Sequence, residues 1–250
     1  MQNPIILGVL NISPESRIKK SVALTKKSIL SRARFLAGNG AEFIDIGARS
    51  ATNRKIEIDE KIEIERLIPA IKILKEKGYK VSIDTWSEKT AIKCLELGAD
   101  MINFTSGFHT DRLLKEIKKH DAWIVLTYMP YKNPYRIDSS KLQYYNLNKI
   151  KNYFKTKIKK TEKYGIKKII LDPNVGILHK TLGTYRKIRL QTEILSNLSE
   201  FRKLGKVLIS VPRKKSPDDT AIMASLGIIN GADFLRTHDP EIIKELLRYG

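Results

Sequence analysis

The stretch from Val81 to Phe104 constrains the fold of this chain more than any other. Val81-Ser82-Ile83-Asp84-Thr85 is a β-rich run that ends in a polar pair, and Ser87 follows at a helix N-cap position. Ala91, Leu95 and Leu97 give the next segment an apolar helical face, Gly98 stops it, and within the run Gly98 to Phe104 a second strand follows that ends in Asn103. Two strands joined by a helix run parallel, so residues at their ends share one rim of a sheet. Asp84 and Asn103 both hold such positions.

The same pattern repeats along the chain. Strand-like runs at Ile5–Leu10, Glu42–Ile46, Trp123–Thr127, Lys168–Leu171, Val207–Val211 and Asp233–Arg236 join the two above. Helical patterns separate them at Ile18–Asn39, Asp59–Lys77, Leu113–Lys119, Leu142–Tyr164, a long helix after Asp172-Pro173 that runs to about Lys203, Asp218–Ile229 and Pro240–Tyr249. No Pro-, Gly- or Ser-rich linker divides the eight units. The expected architecture is therefore α/β, a single (β/α)8 TIM barrel, with residues 1–250 forming one domain.

Composition narrows the class further. At 42% hydrophobic and 30% charged residues the chain reads as soluble and globular, and no apolar run approaches the roughly 18 residues a membrane span needs. Met1-Gln2-Asn3-Pro4 lacks the basic-then-apolar order of a secretory signal, so a cytoplasmic location is expected. The lone Cys94, inside a helical pattern, is expected to be a buried structural thiol. The net charge of +20 invites a nucleic-acid reading. The lysines are scattered over helix faces, however, so a dedicated nucleic-acid site is not expected, and no membrane partner is.

In a βα barrel the functional rim lies where the strands end. This chain delivers Asn11, Asp45, Asp84, Asn103, Asp172, Arg213, Lys214, Arg236 and His238 there, with Arg49, Ser50 and Arg54 just beyond the second strand. Carboxylates and an amide suit a flat, donor-rich heterocycle, because a carboxylate can accept two parallel hydrogen bonds. The cations after the last two strands lie where many barrels bind phosphate. Each carboxylate could instead cap a helix or tie down a loop. His109, His120 and His179 show no zinc-like spacing and are expected at the surface. Tyr128, Tyr131 and Tyr135 could stack on a substrate or clamp their loop.

These residues carry a family resemblance. The chain resembles the dihydropteroate synthase family of the pterin-binding barrel superfamily. The matching segments are Leu10-Asn11-Ile12-Ser13-Pro14-Glu15-Ser16, Asp45-Ile46-Gly47, Ser82–Thr85, Gly98–Asn103 with Ser106-Gly107, Leu171-Asp172-Pro173 with Gly176, Arg213-Lys214, and Arg236-Thr237-His238-Asp239, in the family's order. The resemblance implies a pterin ring held by Asp84, Asn103, Asp172 and Lys214. It implies Mg²⁺ at Asn11 beside a pyrophosphate gripped by Arg236 and His238, an arylamine beside Arg49, Ser50 and Arg54, and catalysis by Lys214, Arg236 and His238. Its partners would be a pterin pyrophosphate and an arylamine, and a homodimer is possible. Pyrophosphate departure leaves a cation that the ring can delocalise, so leaving-group stabilisation and amine positioning suffice, without a covalent nucleophile.

The first two loops depart from the family pattern. Where the family reads Gly-Glu-Ser-Thr-Arg-Pro, this chain reads Ala48-Arg49-Ser50-Ala51-Thr52-Asn53, and Arg17-Ile18-Lys19 replaces Phe-Ser-Asp. The pterin half is better kept than the amine half. The added cations Arg17, Lys19, Lys20, Arg49, Arg54 and Lys55 raise the expectation of a phosphorylated ribosyl arylamine, as in methanopterin synthesis, alongside 4-aminobenzoate. Two further readings stay open: a pterin-dependent methyltransferase of the same superfamily, and a non-enzymatic basic anion- or nucleic-acid-binding protein.

Overall fold

The computed structural model describes residues 3–50, 57–137, 146–176, 183–212 and 216–249. Eight parallel strands close into a barrel in sequence order. They are β1 (Ile5–Asn11), β2 (Ala41–Gly47), β3 (Lys80–Thr85), β4 (Met101–Phe104), β5 (Trp123–Thr127), β6 (Ile169–Asp172), β7 (Lys206–Ser210) and β8 (Phe234–Thr237). Around them stand α1 (Lys26–Gly38), α2 (Glu60–Glu76), α3 (Glu88–Glu96), α4 (Asp111–Lys119), α5 (Leu147–Glu162), α6 (Thr184–Ser196), α7 (Leu198–Arg202), α8 (Pro217–Ile229) and α9 (Pro240–Tyr249). No helix among the described residues is long and apolar enough to cross a membrane. Cys94 is buried and unpaired, as its helical context suggested.

Side-chain chemistry fixes the helix starts. Asp59, Ser87, Thr110 and Ser216 each accept a backbone N–H of the helix they precede, satisfying donors that have no partner within the helix. Two expectations from the sequence change. The helix expected from Ile18 begins at Lys26, because Ala23 donates its N–H to Asn11 O at 2.8 Å and holds the intervening segment against the end of β1. The long helix expected to reach Lys203 is broken at Asn197, which ends α6 and opens α7.

The barrel interior follows from the period of two along each strand. Leu7, Phe43, Met101, Val125, Ile170, Leu208 and Phe234 form one buried apolar cluster inside the barrel. Two residues further along six of those strands stand Asp45, Asn103, Thr127, Asp172, Ser210 and Arg236. The same side of each strand thus turns from hydrocarbon to hydrogen-bonding groups as it reaches the C-terminal rim. Register aligns these groups in pairs: Asp84 beside Asn103, Thr127 beside Asp172, and Ser210 beside Arg236. The apolar layer anchors the strands, and the polar layer above it is the floor of a cavity.

Candidate active site

That cavity encloses about 230 Å³ at the C-terminal mouth of the barrel and is lined by Asn11, Arg49, Ser50, Asp84, Asn103, Asp172, Arg236 and His238, all anticipated from the sequence. Thr105, Thr127, Lys187 and Ser210 also line it and had not been singled out. Inward alternation from the apolar layer was the signal available for Thr127 and Ser210. Lys214 and Arg54 lie outside the described residues, as do Arg213, Lys55 and His179. A larger groove of about 690 Å³ lies between α8 and α9, away from the strand ends. The smaller cavity is the better site, because buried polar groups converge on it.

An ion network forms one half of the floor. Arg236 donates from Nε to Asp45 Oδ2 at 2.6 Å and from Nη2 to Asp84 Oδ2 at 2.7 Å. Ser82 Oγ donates to the other Asp45 oxygen at 2.6 Å, and the Asp45 side chain is fully buried. Arg236 therefore enters the site with its charge already balanced by two carboxylates. Burial, opposed by Arg236, pushes the Asp84 carboxyl up from its ordinary 3.8 to about 6.

Asp172 forms the other half. It accepts the Asn174 N–H at 2.7 Å and lies 3.4 Å from the Ser210 hydroxyl, and burial again raises its carboxyl to about 6. Asn103 Oδ1 and Thr127 Oγ1 are buried without a hydrogen-bond partner. Leaving such groups unmade costs about 1–3 kcal/mol each, so their convergence beside Asp172 points to a donor-rich ligand that completes them.

Asn11 stands at the β1 edge. Its amide nitrogen donates to Ser21 Oγ at 2.7 Å and to Ser16 Oγ at 3.3 Å. A Cβ on Gly47 would come within 3.3 Å of Asn11 Oδ1, so the glycine keeps the space beside that oxygen open. Among the described residues no group of three or more His, Cys, Asp or Glu side chains could hold a metal. A cation here would take the Asn11 oxygen and fill its remaining positions from a ligand and water, as Mg²⁺ does when bound through substrate phosphates.

The wall formed by the loop after β2 is built differently from the expectation. Arg49 lines the cavity, but its Nη2 lies 2.7 Å from Glu63 Oε2 and its guanidinium stacks 4.2 Å from the centre of the Trp86 ring. Glu63 is fully buried and also accepts the hydroxyls of Thr85 at 2.9 Å and Thr90 at 2.6 Å. Arg49 is thus not an uncommitted cation awaiting a phosphate. Two first-loop cations are likewise engaged: Lys20 pairs with Asp239, and Lys19 donates to Pro14 O at 2.8 Å.

Tyr128 and Tyr135, after β5, pack against other parts of the protein and do not line the cavity. Tyr135 packs edge-on against Trp86 with ring centres 5.1 Å apart, and its hydroxyl donates to Ser50 O at 3.3 Å. Tyr128 packs against Tyr153. Gly107 lets these loops close, because a Cβ there would meet Met129 O at 1.9 Å. His109, expected at the surface, is only 5% exposed beneath Phe104. Burial, with Lys157 and Lys160 nearby, lowers its pKa to about 3 and keeps the imidazole neutral.

Comparison with known proteins agrees with this geometry. A model of the pterin-binding enzyme family matches residues 7–238. The chain is 29% identical over 267 residues to the type-3 dihydropteroate synthase of Escherichia coli, covering 97% of each. It is 32% identical over 255 residues to the bifunctional dihydropteroate synthase/dihydropteroate reductase of Helicobacter pylori, covering 94% of this chain and 64% of that one. The solved dihydropteroate synthase of Coxiella burnetii, in complex with pteroic acid, superposes with a TM-score of 0.80 at 25% identity, covering 100% and 92% of the two chains. In fold the chain also matches the enzyme from Thermus thermophilus in complex with 4-aminobenzoate, with a TM-score of 0.82, 24% identity and coverage of 99% and 93%. The family match spans every strand end that contributes to the cavity, and the chain belongs to the pterin-binding enzyme family, that of the dihydropteroate synthases.

Proposed function

We propose that this chain, acting as one barrel domain, condenses 6-hydroxymethyl-7,8-dihydropterin pyrophosphate with 4-aminobenzoate and releases pyrophosphate, a step of folate synthesis. The observation that carries this reading is the set of buried acceptors on the cavity floor. Asn103 Oδ1 and Thr127 Oγ1 have no hydrogen-bond partner among the described residues, and the buried Asp172 carboxylate lines the cavity beside them. Asp172 and Asn103 take the amino-pyrimidine edge of the pterin, with Asp84 and Lys214 on its second ring. Pyrophosphate is held at the β1/β8 edge by Asn11 and His238, with Arg236 alongside. Mg²⁺ bound at Asn11 would neutralise developing charge on the leaving group.

In the reaction the bond from the pterin methylene carbon to pyrophosphate breaks, the arylamine nitrogen bonds to that carbon, and one amine proton is released. The residues supply position and charge stabilisation for this exchange. A plain carboxylate amine is favoured over a phosphorylated one because two of the cations that would meet a phosphate are already paired, Arg49 with Glu63 and Lys20 with Asp239. The test is turnover with purified protein, Mg²⁺ and the pterin pyrophosphate, following pyrophosphate release against a panel of arylamines. Release that depends on 4-aminobenzoate supports the reading, and its absence with every amine rejects it.

The homodimer belongs to this proposal too. Helix α8 exposes Ile222 and Ile229 at 59% and 66%, and with Ala221, Ser225 and Leu246 they border the α8–α9 groove. A helix that is apolar on its outer as well as its inner face is one that a second surface covers. A second copy of the chain is the occupant proposed.

A further inference from the structure

Among the described residues the charged side chains around the cavity are Arg49, Asp84, Asp172, Lys187 and Arg236, and their partners separate one from the rest. Arg236 is balanced by Asp45 and Asp84, and Arg49 by Glu63. Asp172 accepts the Asn174 N–H and faces Ser210. Lys187 forms no ion pair among the described residues, although it is only partly exposed.

Its position is held by the fold. Lys187 and Gln191 are one turn apart on α6 and so share a face. Gln191 is fully buried and donates to Val175 O at 2.8 Å, which ties that face to the loop following β6. Helix stability does not account for a lysine at this point. The first turn of α6 holds no acidic residue, and a cation there opposes the helix dipole.

We propose that Lys187 is a specificity-determining residue that anchors the carboxylate of the arylamine, an inference that rests on the condensation proposed above. That reaction brings two anionic groups into the cavity. The pyrophosphate partners Asn11 and His238 belong to the β1/β8 edge, whereas Lys187 follows β6, two strands away from β8 around the barrel. The anion left for Lys187 is therefore the carboxylate at the far end of the amine. Lysine suits this task, because its ammonium is a compact charge on a flexible stem that can follow a small ligand at a cavity mouth.

The test compares 4-aminobenzoate with uncharged 4-aminobenzamide as the amine, using wild type, Lys187→Met and Lys187→Arg with saturating pterin pyrophosphate. Wild type is expected to prefer the benzoate. Lys187→Met should narrow that preference about tenfold, chiefly through KM for the benzoate, as loss of a charged hydrogen bond at a partly exposed site implies, and Lys187→Arg should restore it. An unchanged ratio in Lys187→Met, or a rise confined to KM for the pterin pyrophosphate, overturns the assignment. Failure of the wild type to condense either amine would instead reject the proposed function and this inference with it.

Discussion

Arg236 and Asp84 reach each other across the barrel mouth, Nη2 to Oδ2 at 2.7 Å, while the same guanidinium grips the fully buried Asp45 at 2.6 Å. Breaking a buried ion pair from one side strands the charge on the other. Arg236→Met should therefore cost about 3–5 kcal/mol in denaturant unfolding, since it leaves two carboxylates facing each other. Arg236→Lys should recover only part of this, because an ammonium lacks the planar fork that serves both partners. An unfolding midpoint unmoved in Arg236→Met would show that the network does not hold the barrel mouth.

The raised carboxyls of Asp84 and Asp172 predict opposite pH trends for stability and for ligand affinity. Between the ordinary value of 3.8 and the folded value of about 6, the folded chain retains protons that the unfolded chain has released. Their contribution to stability is therefore full below about pH 4 and declines as pH rises toward 6. In the proposed function the pterin uses these carboxylates as acceptors, so affinity should rise through pH 6 and level off above it. Below pH 6 it should fall by about tenfold per pH unit for each group that must ionise. Calorimetric titration across this range checks the trend, and Asp172→Asn should weaken binding by about 1.5–3 kcal/mol while flattening its share of the pH dependence. Affinity constant from pH 5 to 8 would contradict the assignment of these groups to the ligand.

The outer face of α8 predicts the assembly state. Ile229→Asp places a charge where the proposed second copy would desolvate it, and should convert a dimer to a monomer in sedimentation equilibrium with little change in the fold by circular dichroism. A wild type that sediments as a monomer at all concentrations removes the proposal.

Much of this was legible in the sequence because barrels write their chemistry at strand ends. Asp84, Asn103 and Asp172 each close an apolar run, and the structure gathers all three in one cavity. What stayed hidden depends on partners distant in the chain. The start of α1 is set by Asn11 O capturing Ala23, which no local pattern near Ile18 reveals. Lys187 looks in sequence like any other surface lysine of a basic chain, and only the closure of α6 onto the cavity distinguishes it. Arg49 reads as an added positive charge on the amine side until Glu63, fourteen residues later, is found beneath it.

That last pair makes the sharpest distinction between a structural and a ligand-binding arginine. Glu63 is fully buried, and burial raises its pKa while Arg49 and two threonine hydroxyls oppose that rise. Removing Arg49 leaves a carboxylate that must take up a proton or stay charged without a counterion. Arg49→Met should thus destabilise the protein by about 3–5 kcal/mol, and adding Glu63→Gln should return much of that loss, because the buried charge disappears with its partner. Trp86→Ala removes the stacked ring and should cost about 0.5–2 kcal/mol of the same local stability. Throughout the series the preference between 4-aminobenzoate and a phosphorylated arylamine should stay unchanged, since Arg49 spends its charge on Glu63. Thermal melts and competing-amine turnover of the single and double variants decide the matter. Additive losses in Arg49→Met/Glu63→Gln, or a swing in amine preference with Arg49→Met alone, would return Arg49 to the role of a substrate contact.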